Sequence, residues 1–460
     1  MSGGAQPSPV PAAPVEFWNS LLRPDVELAP AFAQELNATM RAKRLTFGER
    51  VHCPFLRPFF LTTEEEKRVR PVAEAIAAMG ERVVKQSLAD PELLAQSALS
   101  PEEERLARLN PRYATASTAS RLDAFLLPNS LQFAEYNAES PAGAGYAETL
   151  ADVFLTLPIM QRFEQRYAAR KYPLMKLILE ALITSYAEWG GKALPPVIAI
   201  VDWREVPTFT EFEIIRNHFE AAGVPTIIAD PRDLVFEGGR LTAHGHKIDL
   251  VYRRVLINDI IARPAECAAL LAAYAADAVC VANALSCKIP HKKSFFAVLT
   301  DERNADLFTP VEHDLIQQHV PWTRLVADTK TTREGEAFGL LEYVRERRND
   351  FVLKPNDEYG GKGVLLGWEC TESEWDDALD RALAETDNAW VVQERINVRR
   401  EVFPMQTAGG IEMRDMLVDF APYIFRGKMA GCLTRLSATG LANVTSGGGQ
   451  VPSFLIQLKQ

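Results

Sequence analysis

An apolar run that ends in lysine and proline and opens into a glycine-rich turn restricts this chain more than any other feature. It reads Phe351-Val352-Leu353-Lys354-Pro355-Asn356-Asp357-Glu358-Tyr359-Gly360-Gly361-Lys362-Gly363-Val364. The run predicts a strand that delivers Lys354 as a point charge. Gly360, Gly361 and Gly363 lack a Cβ, so backbone N–H groups there can approach phosphate oxygens. The Walker spacing G-x-x-x-x-G-K-[ST] is absent, and the lysine precedes the glycines instead of following them. Read alone, the segment is equally a surface hairpin with an incidental lysine.

The flanking sequence favours the nucleotide reading. Ala389-Trp390-Val391-Val392-Gln393-Glu394-Arg395-Ile396 is a second apolar strand ending in Gln-Glu. Backbone groups at such an end can bond an adenine edge, which makes Gln393, Glu394 and Ile396 base-binding candidates. Glu401 follows as an acceptor for ribose hydroxyls. Upstream, Lys288, Lys292 and Lys293 precede the predicted helix Ser294–Leu299, and Lys293, at the helix start, is taken as a second phosphate contact. Downstream, Arg435 on the strand Cys432–Leu436 precedes the loop Asn443–Gly449 and can neutralise a phosphoryl group or clamp a carboxylate.

A second constellation lies far upstream. Arg121-Leu122-Asp123 and Phe133-Ala134-Glu135-Tyr136-Asn137 fall on two short apolar runs, Leu122–Leu127 and Leu131–Tyr136, joined by the turn residues Pro128-Asn129-Ser130. In a tight hairpin Asp123 and Glu135 sit on neighbouring strands, and Glu135 and Asn137 share a face. Magnesium takes such oxygens together with substrate phosphates, so Asp123, Glu135 and Asn137 are the predicted metal platform, with Glu135 able to bridge two ions. Arg121 would face the transferring phosphoryl group. An exposed polar hairpin face is the alternative.

Length and charge set the frame. A chain of 460 residues with net charge -11 should form two or three packed units and repel nucleic acid. It has no apolar run long enough for a membrane span and no secretion signal, so a cytoplasmic protein is expected. Its six cysteines are scattered and predict neither disulfides nor structural zinc. Residues 1–15 read as a disordered tail, 16–114 as a helical cap and 115–190 as the metal hairpin with helices. Residues 191–285 read as a small α/β domain, with strand, helix and strand at Val197–Val201, Glu211–Ala222 and Val224–Ala229. The hairpin at Gly238-Gly239 and the strand Asp249–Val255 are expected to extend its sheet, and 286–460 is the nucleotide-binding part.

Together these motifs resemble the ATP-grasp superfamily, which includes D-alanine–D-alanine ligase and glutathione synthetase. Arg121, Asp123, Glu135 and Asn137 look like its closing R-x-D and E-x-N strands. Lys354 with Gly360–Gly363 looks like its lysine and glycine loop, Gln393–Ile396 like its adenine hinge, and Glu401 like its ribose glutamate. The order departs, because here the metal strands come first. That is the arrangement of circularly permuted ATP-grasp proteins and the glutathionylspermidine synthase-like family, which Pro141-Ala142-Gly143, Tyr252-Arg253-Arg254 and Gly447–Gly449 also resemble. No amidase nucleophile pair is found before residue 115.

The resemblance implies an α/β (α+β) chain with a permuted ATP-grasp fold, a small added α/β substrate domain and an N-terminal helical region. It implies ATP and two magnesium ions, and an amide bond formed between a carboxylate and an amine through an acylphosphate. The substrates would be small molecules or peptides, and a homodimer is the default for such enzymes. A phosphotransferase that stops at a phosphorylated product and a non-catalytic ATP-binding protein are the alternatives. Arg57, Arg253, Arg254, Ser117 and Ser120 are either substrate contacts or structural partners. His244 and His246 read as surface residues.

Overall fold

The computed structural model describes residues 12–22, 28–47, 50–358, 360–385, 387–407, 410–438 and 448–459. The first helix begins at Ala12, so the predicted tail is shorter than 1–15. Val15 packs against the core and Trp18 is fully buried beneath Phe60, Phe154 and Phe163, and this apolar burial draws the segment into the fold. Residues 1–11, and Asn443–Gly447 of the predicted closing loop, lie outside the described residues.

The N-terminal region is not purely helical. Helix Thr63–Ala89 starts where a reciprocal cap forms between Thr62 and Glu65, on the Thr-x-x-Glu spacing that satisfies two exposed N–H groups. The strand before it, Phe59–Thr62, pairs in parallel with the C-terminal strand Ser453–Leu458, which also pairs with Tyr167–Arg170. A strand from the first seventh of the chain and its last strand therefore share one sheet, which packs against the long helix.

The central six-stranded sheet is assembled from distant segments. Its order is Gly449–Val451, Lys428–Ser437, Gly410–Phe425, Ala119–Leu126, Leu131–Asn137, with Arg400–Thr407 paired along the first half of Gly410–Phe425. The hairpin Ala119–Asn137 is thus completed by strands from the last third of the chain. A smaller antiparallel sheet, Thr323–Leu325, Trp390–Glu394, Phe351–Pro355, Leu365–Leu366, has its own core around Trp322, Phe351, Trp375 and Leu379.

Residues 191–285 carry a four-stranded parallel sheet in the order Cys280–Ala282, Leu250–Arg253, Ile198–Val201, Thr226–Ala229, with helix Phe209–Ala221 crossing between the last two. The Gly238-Gly239 hairpin does not extend it. Its strands Val235–Glu237, Arg240–Ala243 and His246–Lys247 form a separate sheet that keeps the polar His246 and Lys247 exposed. All six cysteines are free, and no helix among the described residues is long and apolar enough to cross a membrane.

Candidate active site

Two sheet faces enclose a cleft of about 410 Å³. The small sheet contributes Val352, Lys354, Gln393 and Glu394, the glycine turn Glu358, Gly360 and Gly361, and the central sheet Asp123, Glu135, Asp419 and Arg435. Val352 and Lys354, two apart on one strand, share the face turned to the cleft. Lys293 enters from the start of helix Ser294–Thr300.

Lys354 Nζ donates to the Gln393 Oε1 atom at 2.6 Å and to the Ala134 carbonyl at 3.2 Å. These neutral acceptors aim the lysine across the cleft without neutralising it. Burial pushes its ammonium down to about 8; Glu135 offsets part of that shift and Lys293 adds to it. Gln393 is held in turn by Thr323, so its side chain orients the lysine. Lys293 Nζ donates to the Glu358 carbonyl at 2.6 Å and lies 3.6 Å from Glu135 Oε2. Of the three upstream lysines it alone lines the cleft. Lys288 and Lys292 are buried against Glu103 and Asp357, and Lys288 also meets Glu139. Burial opposes the charge on Asp357, yet Lys288 and then Lys292 outweigh it and hold the carboxyl far below the ordinary range. This ion pairing anchors the root of the glycine turn.

On the opposite wall the hairpin register pairs Asp123 with Glu135 and Arg121 with Asn137, and Asn137 Nδ2 donates to Glu135 Oε1 at 3.1 Å. The predicted trio therefore gathers at one end of the ribbon. Arg121, however, does not reach the cleft. It clamps both Asp123 oxygens at 2.7 and 3.2 Å and donates to the Ala142 carbonyl, behind the carboxylate. Its role is to position Asp123, a correction to its assignment at the transition state, because its donors are spent on protein acceptors. Arg435 does line the cleft, bridging Asp419 through Nε at 2.5 Å and Asp123 through Nη2 at 2.6 Å. Burial alone would raise the Asp123 carboxyl, but Arg121 and then Arg435 keep it well below the usual carboxylate range. Asp419 feels the same burial with less compensation from Arg435 and is pushed up to about 6.

Asp419 was missed from sequence. The available signal was a lone carboxylate inside the apolar stretch Met416–Tyr423, whose strand places it directly opposite Arg435.

Glu401 is also corrected. On strand Arg400–Thr407 its neighbour Arg400 lines the cleft, and strand alternation turns Glu401 to the other side. There its carboxylate bridges the buried guanidinium groups of Arg57 at 2.5 Å and Arg399 at 3.0 Å. Glu394 and Ile396 line the cleft at the end of strand Trp390–Glu394, with Glu394 paired to Arg333 at 2.9 Å. Gly363 has φ +74, and a Cβ there would lie 2.7 Å from Pro355 Cγ, so the turn's last glycine is structurally required.

The remaining substrate candidates are structural partners. Arg253 is buried against Glu139 at 3.1 Å and Arg254 bonds the Pro141 carbonyl at 2.7 Å. Arg57 serves Glu401, and Ser117 and Ser120 bond the carbonyls of Ala138 and Ile424. His244 lies in an exposed turn, where it sits 3.6 Å from Asp233.

A sheet lysine with its glycine turn and a helix-start lysine, facing acidic and arginine side chains on a second sheet, are the arrangement of an ATP-grasp type of fold. The chain belongs to the circularly permuted ATP-grasp type 2 family, whose model matches residues 128–437. It is 23% identical over 343 residues to an uncharacterised protein of Mycobacterium tuberculosis, spanning 70% of this chain and 57% of that one. It is 23% identical over 294 residues to a protein of Frankia casuarinae named "Putative glutamate--cysteine ligase 2-2", spanning 61% of this chain and 31% of that protein. The chain thus spans less than two thirds of the length of these curated relatives. A glutathione synthetase-like effector from Globodera pallida has a similar fold, with TM-score 0.61 and 12% identity over 94% of this chain and 98% of that one.

Proposed function

We propose that this protein is an ATP-dependent ligase that joins a carboxylate to an amine through an acylphosphate. Family membership supports an ATP-dependent ligase in general. The observation that carries the finer reading is the division of charge across one cleft. Lys354 and Lys293 with the glycine turn stand on one wall, and Glu135, Asp123, Asp419 and Arg435 on the other. Among the described residues the hydrogen-bond acceptors of Lys354 are neutral, and Glu135 offsets only part of the burial that depresses its ammonium, so a phosphate would add counter-charge.

In this reading the carboxylate substrate attacks the γ-phosphorus of ATP, ADP leaves, and the amine displaces phosphate from the acylphosphate. The chain's residues bind and position. Lys354, Lys293 and the turn's N–H groups hold the phosphates, the apolar hinge end takes the base, and Arg435 neutralises the oxygens of the transferring group. The oxygen donors of Glu135, Asn137 and Asp123 suit magnesium, which needs few protein ligands when phosphates complete its shell. Bound there, magnesium would offset charge on the phosphates.

The test is ADP release with magnesium and pooled amino acids, short peptides, glutathione and polyamines, combined with mass detection of products. ADP that depends on one acid–amine pair and disappears in Asp123→Asn and Lys354→Ala supports the ligase. Stoichiometric ADP without an amide product would favour a phosphotransferase. Absence of nucleotide binding would overturn the site assignment and favour a non-catalytic protein.

A further inference from the structure

A second cavity, of about 460 Å³, opens where Trp322 meets Glu394, whose N–H donates to the Trp322 carbonyl at 2.8 Å. It shares Glu394 with the cleft but is lined by none of Lys354, Lys293, Asp123 or Arg435. Leu299, Ile316 and Val320 give it an apolar wall, and the hairpin formed by strands Lys330–Arg333 and Glu336–Gly339 brings Arg333 and Glu334 to it. At the hairpin tip the Gly335 N–H donates to Glu302 Oε1 at 3.1 Å, which ties the tip to the cavity rim. A volume of a few hundred cubic ångströms with apolar walls and a few polar groups suits a small molecule.

The wall carries both signs of unmet demand. Trp322 is 8% exposed, and its indole N–H has no acceptor among the described residues. Two guanidinium groups sit by the same ring, Arg324 at 4.6 Å and Arg333 at 5.8 Å from its centroid. Arg324 is 5% exposed, and its hydrogen bonds run to neutral oxygens of Thr300, Thr323, Thr331 and Thr332. A buried donor without an acceptor and a buried cation with neutral acceptors are both costly, and a carboxylate beside the ring would relieve both. The other lining charges are acidic. Asp301 is matched by Arg303 at 2.7 Å, whereas Glu302 and Glu334 have no ion pair among the described residues. Glu334 holds φ +54, a conformation that favours glycine or asparagine, so the hairpin keeps a carboxylate there at a conformational cost.

We propose that this cavity binds an apolar α-amino acid as a zwitterion, its carboxylate at Trp322 Nε1 and Arg333 and its ammonium at Glu302 and Glu334, and that its occupancy is coupled to the nucleotide cleft. The coupling has a physical path. Next to Trp322 on the chain, Thr323 holds the Gln393 amide, and Gln393 in turn accepts from Lys354. Arg333, which would meet the carboxylate, also holds Glu394 of the cleft wall at 2.9 Å. The coupling rests on the nucleotide reading above; the binding does not.

The full chain, without nucleotide, is titrated calorimetrically with leucine, isoleucine, valine and methionine, each also as its methyl ester and its N-acetyl form. Expected is saturable binding of at least one free amino acid, weakened at least about tenfold when either charge is blocked. Trp322→Phe, which keeps a ring but removes the N–H, and Glu334→Gln, in the exposed turn, should each weaken it severalfold, whereas Arg435→Ala should leave it unchanged. A non-hydrolysable ATP analogue with magnesium should shift the amino acid's affinity by about fivefold or more, and the amino acid should shift the analogue's by the same factor. The site is overturned if none of the four binds, or if binding is lost in Arg435→Ala and kept in both Trp322→Phe and Glu334→Gln, which would make the amino acid a substrate of the cleft. Intact binding of both ligands with no mutual shift refutes the coupling. If the analogue itself does not bind, the nucleotide reading fails while the amino-acid site stands.

Discussion

Lys354 is placed so that nucleotide binding and proton binding must be linked. Burial depresses its ammonium to about 8, whereas a free lysine titrates near ~10.4. A phosphate beside it restores the charged form, so above pH 8 the complex takes up a proton that the free protein lacks. About nine in ten Lys354 side chains are charged near pH ~7 and about one in eleven near pH ~9, so affinity should fall roughly tenfold, or ~1.4 kcal/mol. The sign for stability is opposite. A lysine depressed on folding binds fewer protons in the native than in the unfolded state between the two values, so the unliganded protein gains stability from this group as pH rises through that window and loses it as pH falls. Calorimetric titration of the ATP analogue in buffers of different ionisation enthalpy measures the proton directly. Close to one proton should be taken up near pH ~9 and only about a tenth of one near pH ~7, with both dependences absent in Lys354→Met. A flat affinity over this range with no buffer dependence near pH 9 would refute the reasoning, whether because Lys354 stays charged in the free protein or because it does not meet phosphate.

Other consequences follow from the same geometry. Glu401→Gln leaves Arg57 and Arg399 buried without a counter-charge and should cost ~3–5 kcal/mol in denaturant unfolding while leaving nucleotide affinity within a few fold; lost affinity with intact stability would restore the ribose role. Arg121→Ala should also destabilise, but by less than Glu401→Gln, because it strips the bidentate partner from buried Asp123 while Arg435 remains paired to it. Arg435→Ala, at the more open cleft wall, should lower turnover by at least about tenfold with a smaller loss of stability, a contrast read by pairing melts with initial rates. Gly363→Ala combines a disfavoured φ with the contact to Pro355, and should weaken nucleotide binding more than it lowers the melting temperature of the whole chain.

Much of this molecule is legible in its sequence because the relevant information is local. Lys354 before the glycine turn, the hairpin carrying Asp123, Glu135 and Asn137, and the hinge at Gln393–Ile396 each depend on strand periodicity and turn chemistry, and each lines or borders the cleft in the fold. The helix Thr63–Ala89 was written into its capping residues in the same way. Choosing Lys293 over Lys288 and Lys292 depended on which lysine found buried carboxylates, and those come from residues 103, 139 and 357. Asp419 offered only a lone carboxylate in an apolar strand as its local signal, and its meaning lies in strand pairing with Arg435 and in Arg435 also reaching Asp123. Glu401 and Arg121 were misplaced for one reason. Sequence gives the chemistry of a side chain and its spacing, but which face of the sheet it occupies, and whether a buried arginine or carboxylate already claims its charge, is decided only when segments hundreds of residues apart are packed together.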